Sequence, residues 1–277
     1  ATAFSLLAFA GNSVLCRLAL GNEAIDAASF TSIRLLSGIV ILQIILKTTS
    51  SSKTPGSKGS WLASLMLFLY AIAFSFAYVT LDTATGALIL FGSVQITMII
   101  ANVVFGNKLL YSEWLGLVTA FIGFVYLILP DLTKPSIVGS VLMAGAGIAW
   151  AVYTLKGRGS ENPLGDTANN FLKTLPLVII LIFITVQDAH MSTQGILLAI
   201  ASGAIASGLG YSIWYVALGG LSVTQAAVVQ LLVPAIAAIG GVLFANELIS
   251  LRLVLSSFMV LGGILIVVLG RYYAVRR

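Results

Sequence analysis

Ten apolar stretches run along this chain, separated by short polar breaks. They fall near residues 2–20, 27–46, 60–80, 85–105 and 111–129, then 137–156, 166–187, 194–218, 222–244 and 248–270. Crossing the hydrocarbon core of a bilayer takes about 20 apolar residues of α-helix. The runs have about that length and do not alternate with period two, so they predict membrane helices and not barrel strands. KTTSSSKTPGSKGS at 47–60 is a Ser/Lys-rich linker, and DLTKPS at 131–136 divides the chain into halves.

Composition strengthens this reading. Of 277 residues 59% are hydrophobic and 8% charged, where a soluble domain carries roughly 25% charged residues. In lipid the backbone must satisfy its own hydrogen bonds, which helices do within a single segment. The 27 glycines suit close helix approach. Small-residue pairs four apart, Ala204/Gly208, Ala237/Gly241 and Gly116/Ala120, predict tight helix–helix faces. The first stretch lacks a basic leader region and reads as a retained helix. Cys16 is the single cysteine, so no intrachain disulfide forms.

The net charge of +5 is explained by topology rather than by a nucleic-acid partner. With the N-terminus cytoplasmic, Lys47, Lys53, Lys58, Lys108, Lys156, Arg158, Arg271, Arg276 and Arg277 fall inside, and Lys134, Arg17 and Arg252 fall outside. Glu23, Asp26, Asp82, Asp131, Asp188 and Glu247 lie on the outer side. Both termini are expected in the cytoplasm, with the chain in the cell's inner (plasma) membrane.

The halves repeat. FGNKLL at 105–110 aligns with FANELI at 244–249, and the same shift pairs Gly123 with Gly262 and Arg34 with Lys173. A slightly longer shift sets Phe9 and Asn12 on Trp150 and Tyr153. An odd number of spans per half inverts the second unit, and inverted repeats are a carrier architecture with a midplane site. The expected fold is an all-α membrane protein: ten transmembrane helices in two inverted five-helix repeats, 1–130 and 136–271, around a central cavity.

AGNSVLCRLAL (10–20), SFTSIRLLSG (29–38), IAWAVYTLKGR (148–158) and SVTQAAVVQLLVPAIAAIGGVLFANE (222–247) together resemble the drug/metabolite transporter superfamily, in particular its ten-helix EamA-type members. Pro234 and the closing Glu247 match the family's late motif, whereas the first half has Gln95 and Lys108 at the equivalent positions, and Phe9-Ala10 stands where Trp-Gly is usual. The resemblance implies an exporter or exchanger of small organic metabolites, amino acids among them, including aromatic ones. A sugar-phosphate or nucleotide-sugar antiporter is the alternative, since relatives of this architecture use paired basic residues.

Polar and aromatic residues at helical depth are the candidate solute contacts: Asn12, Phe91, Gln95, Trp150, Tyr153, Tyr211, Trp214 and Gln230. A concave site of rings with a few placed polar groups suits a solute with an apolar body. The competing readings are an interfacial aromatic belt, favoured for Tyr78, Tyr215 and Trp214, and helix-bridging amides worth about 0.6 kcal/mol each, favoured for Asn102. Gln95, Trp150 and Tyr153 favour the site, and Asn12 stands evenly between. Pro234 is a candidate hinge.

Arg34 and Lys173 each lie about a third of the way along a span. A cation there costs at least ~2.5–3.5 kcal/mol. Snorkelling to the headgroups is the favoured reading, and contact with a solute carboxylate or phosphate is the other. With no carboxylate deep in a span, facilitated diffusion or exchange without an obligate proton is expected. His190 is the sole histidine and falls in an outer loop, which leaves intramembrane proteolysis without its catalytic groups. No filter-like motif points to a channel. The expected partners are a small-molecule solute and the lipid bilayer, with no nucleic acid, metal or cofactor, and the protein is expected to be monomeric.

Overall fold

The computed structural model describes residues 2–49, 58–104, 106, 110–128, 135–157, 160–218 and 229–275. Most of the 47–60 linker, the 131–134 junction, Lys108, Arg158, the start of the ninth stretch, and the side chains of Asn102 and Tyr215 lie outside the described residues.

The described chain is helical: α1 (Thr2–Leu20), α2 (Ala27–Thr49), α3 (Trp61–Tyr78), α4 (Thr83–Val104), α5 (Tyr111–Ile128), α6 (Ile137–Gly157), α7 (Pro163–Leu172), α8 (Leu175–Thr185), α9 (Thr193–Ile200), a π-helical stretch (Ala201–Leu209), α10 (Gly210–Leu218), α11 (Val233–Ala245) and α12 (Leu251–Val275). Among the described residues eight segments are long and apolar enough to cross a membrane, and the shorter apolar helices Tyr111–Leu127 and Val233–Ala245 bring the apolar segments to the ten expected. The apolar runs form helices because lipid offers the backbone no other partners, and polar residues mark their starts. Ser60 accepts a hydrogen bond from Ala63 N, Asn162 from Gly165 N, and Ser192 from Gly195 N, each satisfying an otherwise unpaired N–H of a first turn. Asn246, at φ 53°, closes α11 in the left-handed conformation.

Three elements depart from the expected spans. The seventh is split, α7 ending at Leu172 and α8 starting at Leu175. Pro176, in the first turn of α8, has no N–H to donate and its ring displaces the carbonyl one turn back. The eighth span passes through the π stretch, where a wider turn brings Ser202, Gly203, Ser207 and Gly208 into the protein interior. The ninth breaks at Leu231–Leu232, so that Pro234 lies in the first turn of α11 rather than at mid-helix.

The helices pack as a bundle. α6 lies on α3 and α4, α1 lies on the eighth span and on α11, α2 packs against the π stretch, α3, α7, α8 and α9, and α5 pairs with α12. Small residues set the closest approaches. A Cβ on Gly116 or on Gly263 would strike the other's carbonyl across the α5–α12 contact, so these helices touch backbone to backbone.

On the face bearing the α1–α2 turn, Ile25 and Met191 form an isolated antiparallel bridge. Beside it Asp26 accepts from Ser29 N and His190 N at 2.8 and 2.9 Å. Burial alone would raise the Asp26 carboxyl, but hydrogen bonds from Ser29, His190 and Ala28 outweigh it and hold the pKa below the ordinary value. A depressed carboxyl stabilises the fold above its unfolded pKa, about 3.9, and this is lost as pH falls through the folded value. Protection of the Ser29 and His190 amides from hydrogen exchange is therefore expected to fall below about pH 4, and Asp26→Asn should remove that pH dependence.

Candidate solute-binding site

A small cavity lies at the centre of the bundle, lined by Phe9, Asn12, Tyr70, Phe74, Leu90, Phe91, Trp150, Ala206 and Tyr211. Its walls come from α1, α3, α4, α6, the π stretch and α10. Trp150 is the hub of an aromatic cluster: its ring centroid lies 4.8 Å from that of Tyr70, 5.0 Å from Tyr211 and 5.3 Å from Tyr153. Phe9 continues the cluster to Tyr211 at 5.9 Å and Trp214 at 5.6 Å. Such ring pairs contribute about 0.5–1.5 kcal/mol each beyond area burial, so the cage is stiff as well as apolar.

The polar groups at the cage are few and connected. Asn12 donates to the Tyr70 hydroxyl at 3.4 Å and accepts from Ser202 at 2.5 Å. Arg34 also donates to Tyr70, at 3.0 Å, and to Ser207 at 3.4 Å. Both serines belong to the π stretch, a distortion that recurs at functional sites. It sets two hydroxyls against two polar side chains of the first half.

Of the sequence candidates, Asn12, Phe91, Trp150 and Tyr211 line the cavity. Tyr153 stands one ring behind Trp150, and Trp214 behind Phe9. Gln95 is buried one turn from Phe91 but outside the lining, and Gln230 is half-buried just ahead of the α11 break. The belt reading of Tyr78 and Trp214 fails, for they are 0% and 8% exposed; an interfacial ring would stand at the lipid surface, as the exposed Trp61 does.

The two cations that the sequence places within spans, Arg34 and Lys173, separate. Lys173 is not at depth: its ammonium takes the carbonyls of Lys58 and Gly59, just ahead of α3, and stands 5.4 Å from the Trp61 ring. Snorkelling describes it well. Arg34 does the opposite and is buried at 2% exposure. Its guanidinium lies 5.2 Å from the Tyr70 ring centroid and 4.9 Å from that of Phe74, contacts worth about 2 kcal/mol each when desolvated.

Tyr70 and Phe74 were not singled out from sequence. The signal was present: Tyr70, Phe74 and Tyr78 recur every four residues and share one face of α3. Phe74 bridges Tyr70 and Tyr78 at 5.4 and 4.8 Å.

A second polar cluster closes the face that bears the α1–α2 turn. Glu247, after α11, accepts from Thr83 N at 2.9 Å with both carboxylate oxygens, from Thr83 Oγ1 at 3.1 Å and from Arg17 Nε at 3.2 Å. Arg17 also donates to the α3-end carbonyls of Tyr78 and Val79 and pairs with Asp82 at 3.4 Å. The ends of α1, α3, α4 and α11 are thereby tied together. Glu247→Ala leaves buried donors unmatched and is expected to destabilise by about 1–3 kcal/mol, read as a lower Tm in detergent. Asp82→Ala, at a side chain 60% exposed, is expected to cost under about 1 kcal/mol.

Among the described residues, no three His, Cys, Asp or Glu side chains gather in a metal-binding group. A multi-helix membrane bundle with a polar-aromatic pocket at its centre defines a class: carriers of small solutes.

Comparison with known proteins agrees and gives the family. Residues 137–269 match the EamA-like transporter family. An uncharacterized protein of Pseudomonas aeruginosa is 44% identical over 98% of this chain and 94% of its own length. An uncharacterized transporter of Archaeoglobus fulgidus is 30% identical over 63% of each chain. The threonine/homoserine exporter RhtA of Salmonella typhimurium is 27% identical over 49% of this chain and 47% of its own. A solved crystal structure superposes with a TM-score of 0.65, covering 98% of both chains at 16% identity, a likeness of fold alone. Residues 137–269 thus belong to the EamA-like transporter family, and the chain is a multi-pass membrane transporter of small molecules.

Proposed function

We propose that this protein exports amino acids, including aromatic and other hydrophobic ones, by alternating access through the central cavity. The observation that carries the reading is the cage of Trp150, Tyr70, Tyr211 and Phe9 closing on the Asn12–Tyr70 hydrogen-bond pair: rings for an apolar body, an amide and a hydroxyl for its polar end. The threonine/homoserine exporter among the relatives supports the amino-acid class.

Packing supports an inverted duplication of 1–130 on 136–271. α1 meets the eighth span and α11 as α6 meets α3 and α4, the exchange a pseudo-two-fold axis would produce. In this reading both termini are cytoplasmic, and the Arg17–Glu247–Thr83 cluster is the closed external side. The cavity, about 20 Å³, has room for roughly one water and must widen to admit a solute. The break before Pro234, at the end of α11 remote from the Glu247 cluster, is a place for that movement. Lys173, held at the bundle face, weakens the paired-cation argument for a sugar-phosphate antiporter.

Counterflow in proteoliposomes tests the reading. Trans-loaded phenylalanine, leucine and threonine are expected to accelerate saturable uptake of labelled phenylalanine, and glucose 6-phosphate is not. Acceleration by the sugar phosphate alone would overturn the amino-acid assignment. The rate is expected to persist when a protonophore collapses the pH gradient, because among the described residues no carboxylate lines the cavity; its loss would refute proton-independent exchange.

A further inference from the structure

Arg34 is a buried cation within a membrane span that forms no ion pair among the described residues. α2 starts at Ala27, and Arg34 lies two turns along it, 2% exposed. Its Nη2 donates to Tyr70 and its Nε to Ser207, both neutral acceptors, while Nη1 is buried without a hydrogen-bond partner. Arg17, at the bundle face, is by contrast paired with Asp82 and Glu247. Rings and hydroxyls shelter the guanidinium but do not neutralise it. An intramembrane charge left in that condition points to a partner that arrives from outside the chain.

The cavity is where such a partner arrives. Tyr70 and Phe74 line it and also carry the guanidinium against their rings, so the charge lies one ring behind the wall. Moving either ring aside to widen the cavity would bring the guanidinium, with its unpartnered Nη1, closer to the solute. The lining holds no carboxylate, and a solute ammonium would meet only neutral oxygens and ring faces. One cation, with Lys173 engaged at the surface, matches a monoanion better than a phosphate dianion. Arginine's planar fork suits a carboxylate in particular.

We propose that the site recognises its solute through the carboxylate, with Arg34 as the charge partner, and that the amino group is dispensable. The transported class is then monocarboxylates with an apolar or aromatic body, of which amino acids are one kind. The inference rests on the exporter reading of the same cavity and narrows what that cavity selects.

Ligand-induced thermal stabilisation of the purified full-length protein tests it, using phenylalanine, phenylpyruvate (no amine), phenethylamine (no carboxylate) and glucose 6-phosphate. Phenylpyruvate is expected to bind within about threefold of phenylalanine and phenethylamine at least roughly tenfold more weakly, as for the loss of one charge-assisted hydrogen bond. Arg34→Gln is expected to erase the carboxylate preference and Arg34→Lys to keep part of it. The wild-type ligand series decides the question even if the variants fail to fold. Equal binding of amine and acid, preference for the amine or the sugar phosphate, or an undiminished carboxylate preference in Arg34→Gln would overturn the proposal. Carboxylate-selective binding without amino-acid counterflow would leave it standing and remove the amino-acid exporter reading instead.

Discussion

Trp150→Ala is expected to reduce counterflow by more than tenfold, while Trp150→Phe keeps a substantial part of it. Trp150 joins α3, α6 and α10 through ring contacts at 4.8, 5.3 and 5.0 Å, and it lines the cavity. Alanine removes the surface on which an apolar solute would lie and releases Tyr70, which orders Asn12 and Arg34. Truncating a large buried aromatic costs about 3–5 kcal/mol. Trp150 is only half-buried, so the lower end of that range applies and a folded fraction is expected for assay. Transport is measured per folded molecule, with the folded fraction taken from size-exclusion chromatography. Undiminished transport in folded Trp150→Ala would exclude the central cavity as the solute site.

Gly203→Ala is expected to be the most damaging single-methyl change. Gly203 lies in the π stretch against α2, and a Cβ there would overlap the Arg34 carbonyl oxygen and the Ser37 hydroxyl. Ser37 can rotate away, but the carbonyl belongs to the α2 backbone and cannot. Overpacking of this kind costs about 1–3 kcal/mol, sometimes more, and relief requires α2 and the eighth span to separate. That movement would also part Arg34 from Ser207, now 3.4 Å away. A markedly lower Tm is the expected result, together with reduced transport in whatever remains folded. Gly262, beside which nothing lies within 4 Å of a built Cβ, is the control: Gly262→Ala is expected to be neutral or slightly stabilising, because alanine favours helix by about 1 kcal/mol. Equal Tm values for the two variants would refute the tight α2–π contact.

Much of the fold was legible along the chain because lipid imposes one-dimensional rules. Helix number follows from runs of apolar residues, and their ends from polar breaks. The family resemblance was legible for the same reason, its motifs lying on those helices in order. The breaks at Pro176 and Pro234 were less so: proline marks where a helix is disturbed, but packing decides whether it bends or stops. The π stretch left no mark, since ASGAIASGL reads as an ordinary small-residue helix face, and its wider turn is stabilised by α1 and α2, which pack against it.

The candidate site was legible in kind more than in membership. Depth in the sequence marks Asn12, Phe91, Trp150 and Tyr211, the first three also by their place in the sequence repeat, and all four line the cavity. Gln95 was named on the same grounds but lies outside the lining, because a helix has several buried faces and depth does not choose among them. Tyr70 and Phe74 were overlooked because an aromatic stripe in a membrane helix has the same pattern whether it faces a cavity or a neighbouring helix.

By itself, the amino-acid sequence determined the solvent of this protein, its helical class, its apolar segments and its family, all set by composition and order along the chain. Only the tertiary structure decided which residues meet. Arg34 and Lys173 align when one half of the sequence is laid on the other, yet one is buried beside the Tyr70 and Phe74 rings with an unpartnered nitrogen and the other is held by carbonyls at the bundle face. The reason is physical: hydrophobicity acts on each residue through the solvent around it, whereas a charge is governed by the groups that three-dimensional packing places within a few ångströms.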